Sequence, residues 1–163
     1  MIAAQKNRNL LFSNRLQHII DKLILQNAWS GGLLPDRLFL AILEDRESYG
    51  SLIINGLLRD WEIAQVVRRV KESIAKPGPR GVIALKGPAT LRNYVAARLK
   101  IIYGDDLPPA LTTGHVLLAI LNDRRLFASR YMGLYWVRPV DVFQYLVRLP
   151  AFEEFVPGTS RSC

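Results

Sequence analysis

The chain has 163 residues, half of them hydrophobic, with 22 Lys and Arg against 14 Asp and Glu, a formal net charge of +8. This length sets one domain or two very small ones, and the hydrophobic share excludes intrinsic disorder for most of the chain. The single cysteine, Cys163, excludes an internal disulfide framework, and with only His18 and His115 besides no metal site is expected.

Periodicity is helical nearly throughout. Leu16, Ile19, Ile20, Leu23 and Ile24 recur at i, i+3, i+4, i+7 and i+8, one apolar stripe on a first helix that Ser13 caps. Gly31 and Gly32 end it. Pro35 opens a second, short helix over 38–43 that is apolar almost all round and therefore belongs at the centre of the molecule. Residues 51–58 read as a third helix. Asp60 caps a fourth that carries Ile63, Val66, Val67, Val70 and Ile74 at helical spacing. Residues 76–88, rich in Gly and Pro, break the pattern and form a connector, with 82–85 a brief extended segment inside it.

The same order then returns. Thr90 caps a helix with Leu91, Tyr94, Val95, Leu99 and Ile102. A turn over 104–109 leads to Thr112 or Thr113, either of which opens a second wholly apolar helix, 116–121. A small helix over 126–132 and a last amphipathic one from Pro139 (Val140, Phe143, Leu146, Val147) follow. Residues 150–163 read as a tail whose first half Phe152 and Phe155 anchor. LFLAIL at 38–43 and VLLAIL at 116–121 lie 78 residues apart, each after a polar turn and before a charged one. The fold class expected is all-α: one domain over 1–163 made of two tandem pseudo-twofold four-helix repeats. Repeat one spans 10–76, the linker 77–88, repeat two 89–149 and the tail 150–163.

These residues resemble the N-terminal domain of Clp-type AAA+ unfoldases, over roughly residues 10–149. Phe12-Ser13 and Ala89-Thr90 stand where that family's repeats begin, and 33–43 (LLPDRLFLAIL) and 111–121 (LTTGHVLLAIL) stand at its turns into helix two. Thr113-Gly114-His115 before VLLAIL is similar to the type VI secretion branch, ClpV, which recycles the contracted sheath. In the ClpC branch a Thr at each repeat start and a Glu in each turn bind phosphoarginine. The matching positions here are Ser13 with Asp36 and Thr90 with Gly114, so the second carboxylate needed opposite a guanidinium is missing.

The resemblance implies a non-catalytic protein-interaction module. It would bind a peptide or helix of a substrate, adaptor or sheath subunit for an unfoldase, with apolar anchors in a groove beside helix one or between the repeats. Ser13, Leu16, Ile19, Asp36, Thr90 and Trp136 are the candidate peptide-binding residues. Trp29, Trp61 and Trp136 otherwise close the ends of the bundle.

No GxxxxGK[ST] phosphate loop exists, so neither ATP hydrolysis nor any cofactor is expected. His18 and His115 read as structural, His115 fixing a turn by a hydrogen bond to a neighbouring backbone carbonyl. The carboxylate pairs Asp105-Asp106 and Glu153-Glu154 read as solvated. The alternative reading is a basic helical nucleic-acid-binding protein, resting on Arg68, Arg69 and Lys71 and on Arg124, Arg125 and Arg130. A third is a scaffold that dimerises through its apolar groove. The net charge is +3 over 1–76 and +5 over 77–163, with no run of five like charges, which favours a solvated surface over a nucleic-acid patch. No apolar run reaches the ~18 residues of a membrane span, and residues 1–11 lack the apolar core of a signal peptide. A cytoplasmic protein with no membrane partner is therefore expected.

Overall fold

A computed structural model of the chain describes residues 11–76, 84–150 and 154. Among these residues there are eight α-helices and two very short strands. Helix α6 (Thr113–Leu121) holds the centre, and each of its nine residues is buried. A helix with no polar face loses apolar contact with water only if neighbours cover every side. Here α2 (Pro35–Glu44), α3 (Tyr49–Leu57), α5 (Pro88–Tyr103), α7 (Phe127–Gly133) and α8 (Pro139–Leu146) all pack on it. Helix α4 (Asp60–Ala75) packs on α2 and α7. The amphipathic α1 (Asn14–Leu25) adds Leu16, Ile19, Ile20 and Leu23 to the same core.

The two strands tie the start of α1 to the start of α6. Strand β1 (Leu11–Phe12) pairs in parallel with β2 (Ala110–Leu111), Leu11 beside Ala110 and Phe12 beside Leu111. A single antiparallel bridge joins Leu33, just before α2, to Leu85, just before α5. The Arg92 guanidinium lies over the Phe12 ring at 4.7 Å, tying β1 to α5 as well.

Several side-chain bonds recur 78 residues apart, the offset of the two apolar hexamers. Ser51 donates to the Leu43 carbonyl (3.4 Å) and Ser129 to the Leu121 carbonyl (2.7 Å). The Asp45 carboxylate accepts from the Glu47 N–H and the Asp123 carboxylate from the Arg125 N–H, each at 3.2 Å. Asp123, 1% exposed, also accepts from the Tyr94 hydroxyl (2.7 Å) and pairs with the Arg125 guanidinium (2.9 Å). Burial pulls its carboxyl upward, but the bonds from Arg125 and Tyr94 outweigh that and hold it below the usual carboxylate range.

Local details depart from the sequence expectations where tertiary contacts intervene. Ser13 caps α1, accepting from the Leu16 N–H at 3.1 Å, but Ile24 is half exposed. The N-cap of α4 is Arg59 rather than Asp60, because the Glu62 carboxylate reaches back to the Arg59 N–H at 2.9 Å. Helix α5 begins at Pro88 with Gly87 as N-cap, so Thr90 is an exposed first-turn residue and not a cap. Pro suits that first helical position because its missing N–H would have no partner there. In α8 the buried face is Val142 and Leu146, and Val140 and Val147 lie outside it. Phe152, Phe155 and positions 82–83 lie outside the described residues.

Gly114 shows how closely α6 is packed. A β-carbon there would stand 2.6 Å from Leu146 Cδ1 and 3.2 Å from Ile53 Cδ1. No side chain larger than hydrogen fits at this position unless Leu146 and Ile53 shift. Gly114→Ala is expected to destabilise the fold by about 1–3 kcal/mol through overpacking. Denaturant unfolding measures this as a lowered midpoint at unchanged slope.

Candidate functional site

Beside α1 lies a cleft of about 530 Å³ between α1 and α2, with Lys71 from the C-terminal part of α4 at its edge. Its floor is apolar: Ile19 and Leu23 from α1, Leu40 and Ala41 from α2. These come from the edges of the two core-facing stripes, so each is mostly covered yet turns one side to the cleft. Its rim is cationic. Lys22, Arg37, Arg46 and Lys71 stand around the floor, with Glu44 and Asp45 as the acidic counterweight. Arg15 closes one end, pairing with Asp45 (2.9 Å) and Glu47 (2.7 Å). Lys71 reaches Glu44 at 3.6 Å. Among the described residues Lys22, Arg37 and Arg46 make no ion pair, and all three are exposed. The cleft therefore offers apolar contact below and unneutralised positive charge above, a fit for a segment that is apolar on one side and acidic on the other. A neighbouring recess of about 480 Å³, lined by Leu43, Ser51, Asn55, Ile63 and Val67, shares Glu44 and Arg46 with it.

The residues singled out from sequence are not gathered into this cleft. Ile19 lines it. Leu16 is fully buried in the core. Ser13 is fully buried as the cap of α1. Asp36 faces α7 and accepts from the Ala128 N–H at 3.2 Å. Thr90 is exposed at the start of α5. Trp136 sits in the turn between α7 and α8, 85% exposed and at φ 63°, outside the cleft lining. It closes no end of the bundle, and neither does Trp61, which is also exposed; Trp29 alone of the three packs against the core. The rim cations Lys22, Arg37 and Arg46 were missed. Only their position beside the apolar stripes would have singled them out, and that requires knowing which two helices lie side by side.

Two further expectations change. His18 is exposed at the cleft rim and is not part of the core. Glu154, expected in solvent with Glu153, is 2% exposed. It accepts hydrogen bonds where three helices begin, from Ser13, Tyr49 and Thr113. Glu153 lies outside the described residues, and Asp105 and Asp106 are exposed.

His115 fixes the start of α6, as expected, but as an acceptor. Its Nδ1 accepts from the Thr112 N–H at 2.9 Å, while the Thr112 hydroxyl accepts from the His115 N–H at 3.4 Å. This reciprocal box satisfies two N–H groups that the helix itself cannot. It also requires the ring to be neutral with its proton on Nε2. Burial holds the imidazole pKa down to about 4. The unfolded chain takes up this proton near the ordinary value of about 6.5, so the stabilisation is complete above that pH and is lost as the pH falls toward 4. Unfolding free energy is expected to drop by about 3 kcal/mol across that window from this group. Denaturation at a series of pH values should show the slope in the parent chain and a flatter profile in His115→Asn, whose amide oxygen can still accept from Thr112.

Among the described residues no group of three or more His, Cys, Asp or Glu is placed to hold a metal ion, and no helix is long and apolar enough to cross a membrane. No protein family, curated protein or solved structure matches the chain.

Proposed function

We propose that the chain is a non-catalytic protein-interaction module whose cleft between α1 and α2 takes an amphipathic peptide or helix with acidic flanks from another protein. The observation that carries this reading is the pairing of an apolar floor (Ile19, Leu23, Leu40) with three exposed rim cations (Lys22, Arg37, Arg46) that make no ion pair among the described residues. An apolar stripe at helical spacing supplies affinity in such a groove, and the flanking charge supplies orientation and partner choice.

We further propose that the two halves are tandem four-helix repeats and that the module serves a Clp-type AAA+ unfoldase, as its N-terminal domain or as an adaptor. The bound segment would then belong to a substrate, and in the ClpV-like case to a sheath subunit. Support comes from the hexamers 38–43 and 116–121 and from the two serine and two aspartate bonds that share their 78-residue offset. Support also comes from two short pairings between the halves, Leu11–Phe12 with the turn at Ala110–Leu111 and Leu33, in the first turn, with Leu85 in the linker just before the second half.

Nucleic-acid binding is the weaker reading because Arg69, Lys71 and Arg125, half of the cations invoked for it, are paired with carboxylates, while Arg68, Arg124 and Arg130 make no ion pair among the described residues. Arg68 donates to Gln65 (2.8 Å), Arg69 pairs with Glu72 (3.5 Å) and Arg125 with Asp123 (2.9 Å), and Arg130 donates to the carbonyls of Arg124 and Arg125.

Fluorescence anisotropy tests the cleft. The probes are a labelled amphipathic helical peptide with glutamate flanks, the same peptide with lysine flanks, and a labelled oligonucleotide. The glutamate peptide should bind and the lysine peptide should not. Lys22→Glu with Arg37→Glu should weaken binding at least about tenfold, roughly 1.4 kcal/mol, without lowering the unfolding midpoint. Equal binding of both peptides, or an unchanged affinity in the double variant, removes the cleft as the site. Binding of the oligonucleotide alone, falling steeply with salt, moves the function to the basic surface.

A further inference from the structure

Glu154 is a carboxylate at 2% exposure with no Lys, Arg or His within ion-pair distance among the described residues. A buried charge of this kind costs several kcal/mol unless the protein supplies hydrogen bonds in place of water. Here it receives four. Oε1 accepts from the Ser13 hydroxyl (2.7 Å) and the Thr113 N–H (2.6 Å). Oε2 accepts from the Tyr49 N–H (2.6 Å) and the Thr113 hydroxyl (2.6 Å). Each donor belongs to a helix start: the N-cap of α1, the first residue of α3 and the first residue of α6. Two backbone N–H groups and two hydroxyls from three helix starts converge on the carboxylate, with the positive ends of the helix dipoles behind them, which allows an anion to be held without a cation.

Each carboxylate oxygen faces one backbone N–H, which can only donate, and one hydroxyl. Ser13 Oγ already accepts from the Leu16 N–H (3.1 Å), and Thr113 Oγ1 from the Gly50 N–H (2.9 Å). Each hydroxyl therefore turns its own hydrogen to the carboxylate. The junction presents four donors, and the two backbone N–H groups among them, one on each carboxylate oxygen, cannot accept. An ionised carboxylate, which only accepts, satisfies all four, whereas a carboxamide would set its NH₂ against one of those N–H groups. Ser13 and Thr113 are themselves fully buried. Tyr49 grips the same stretch of chain a second time, its hydroxyl donating to the Pro150 carbonyl.

We propose that the junction of the three helix starts is a carboxylate-binding site, separate from the cleft, that holds Glu154 in cis and accepts a free carboxylate in its place. None of its residues lines the cleft, so the site stands or falls independently of the cleft reading.

The test uses the full chain with Glu154→Ala, followed by NMR at the backbone amides of Tyr49 and Thr113 and by thermal unfolding. Sodium acetate is titrated in at constant ionic strength, with acetamide and inorganic phosphate in parallel. Acetate should return both amides toward their parent-chain positions in a saturable manner and raise the Tm of the variant, because a ligand that binds only the folded state stabilises it. Acetamide should do neither, and the parent chain, already occupied, should respond to none of the three. Glu154→Gln should match Glu154→Ala in both amide shifts before acetate is added. If Glu154→Ala is unfolded alone, acetate should restore its helical circular dichroism and acetamide should not. Unmoved amides, an equal effect of acetamide, or an equal response of the parent chain overturns the proposal. A stronger response to phosphate than to acetate overturns its specificity for carboxylate.

Discussion

The burial of α6 governs the rest of the structure. Nine consecutive residues with no polar face and no exposed side chain require cover on all sides, and five other helices supply it. Few arrangements of short helices achieve this. Glycine at position 114 lets α6 approach Leu146 of α8 and Ile53 of α3 closely. A helix buried to its ends must also satisfy its terminal N–H groups without water. The box between Thr112 and His115, and the acceptance of the Thr113 N–H by Glu154, meet that requirement at its start.

The same constraint explains the distribution of charge. The core leaves no room for unpaired ions, so the buried carboxylates, Asp123 and Glu154, are enclosed by donors. They are satisfied by different means. Asp123 has a guanidinium and a phenol, while Glu154 has only hydroxyls and backbone N–H groups. The net positive charge stays outside, and around the cleft it stands over an apolar floor. Outward-facing charge beside a partly open apolar stripe provides a recognition surface without disturbing the packing that stabilises the fold.

The helices and their order were legible from the sequence because apolar periodicity and Gly or Pro punctuation are local signals. The wholly apolar 116–121, the stripe of α1 with its Ser13 cap and the opening of α2 at Pro35 could all be read directly. Element ends were less legible. Arg59 rather than Asp60 starts α4 because a carboxylate three residues on reaches back, and Pro88 rather than Thr90 starts α5. The two Trp residues placed at the bundle ends lie in solvent because nothing in their local spacing records whether a neighbouring helix covers them.

By itself, then, the sequence determined an all-α chain organised around two short apolar helices, since those properties follow from neighbours within a few residues of one another. Only the tertiary structure decided which side chains share a site. The cleft joins residues of α1, α2 and α4, and the anion-holding junction joins Ser13, Tyr49, Thr113 and Glu154, the first and last of which are separated by 141 residues. No period or motif encodes such a meeting. It is fixed by the demand that α6 be covered on every side, which brings distant helix starts to one point and leaves their N–H groups to be met by whatever acceptor the chain can supply.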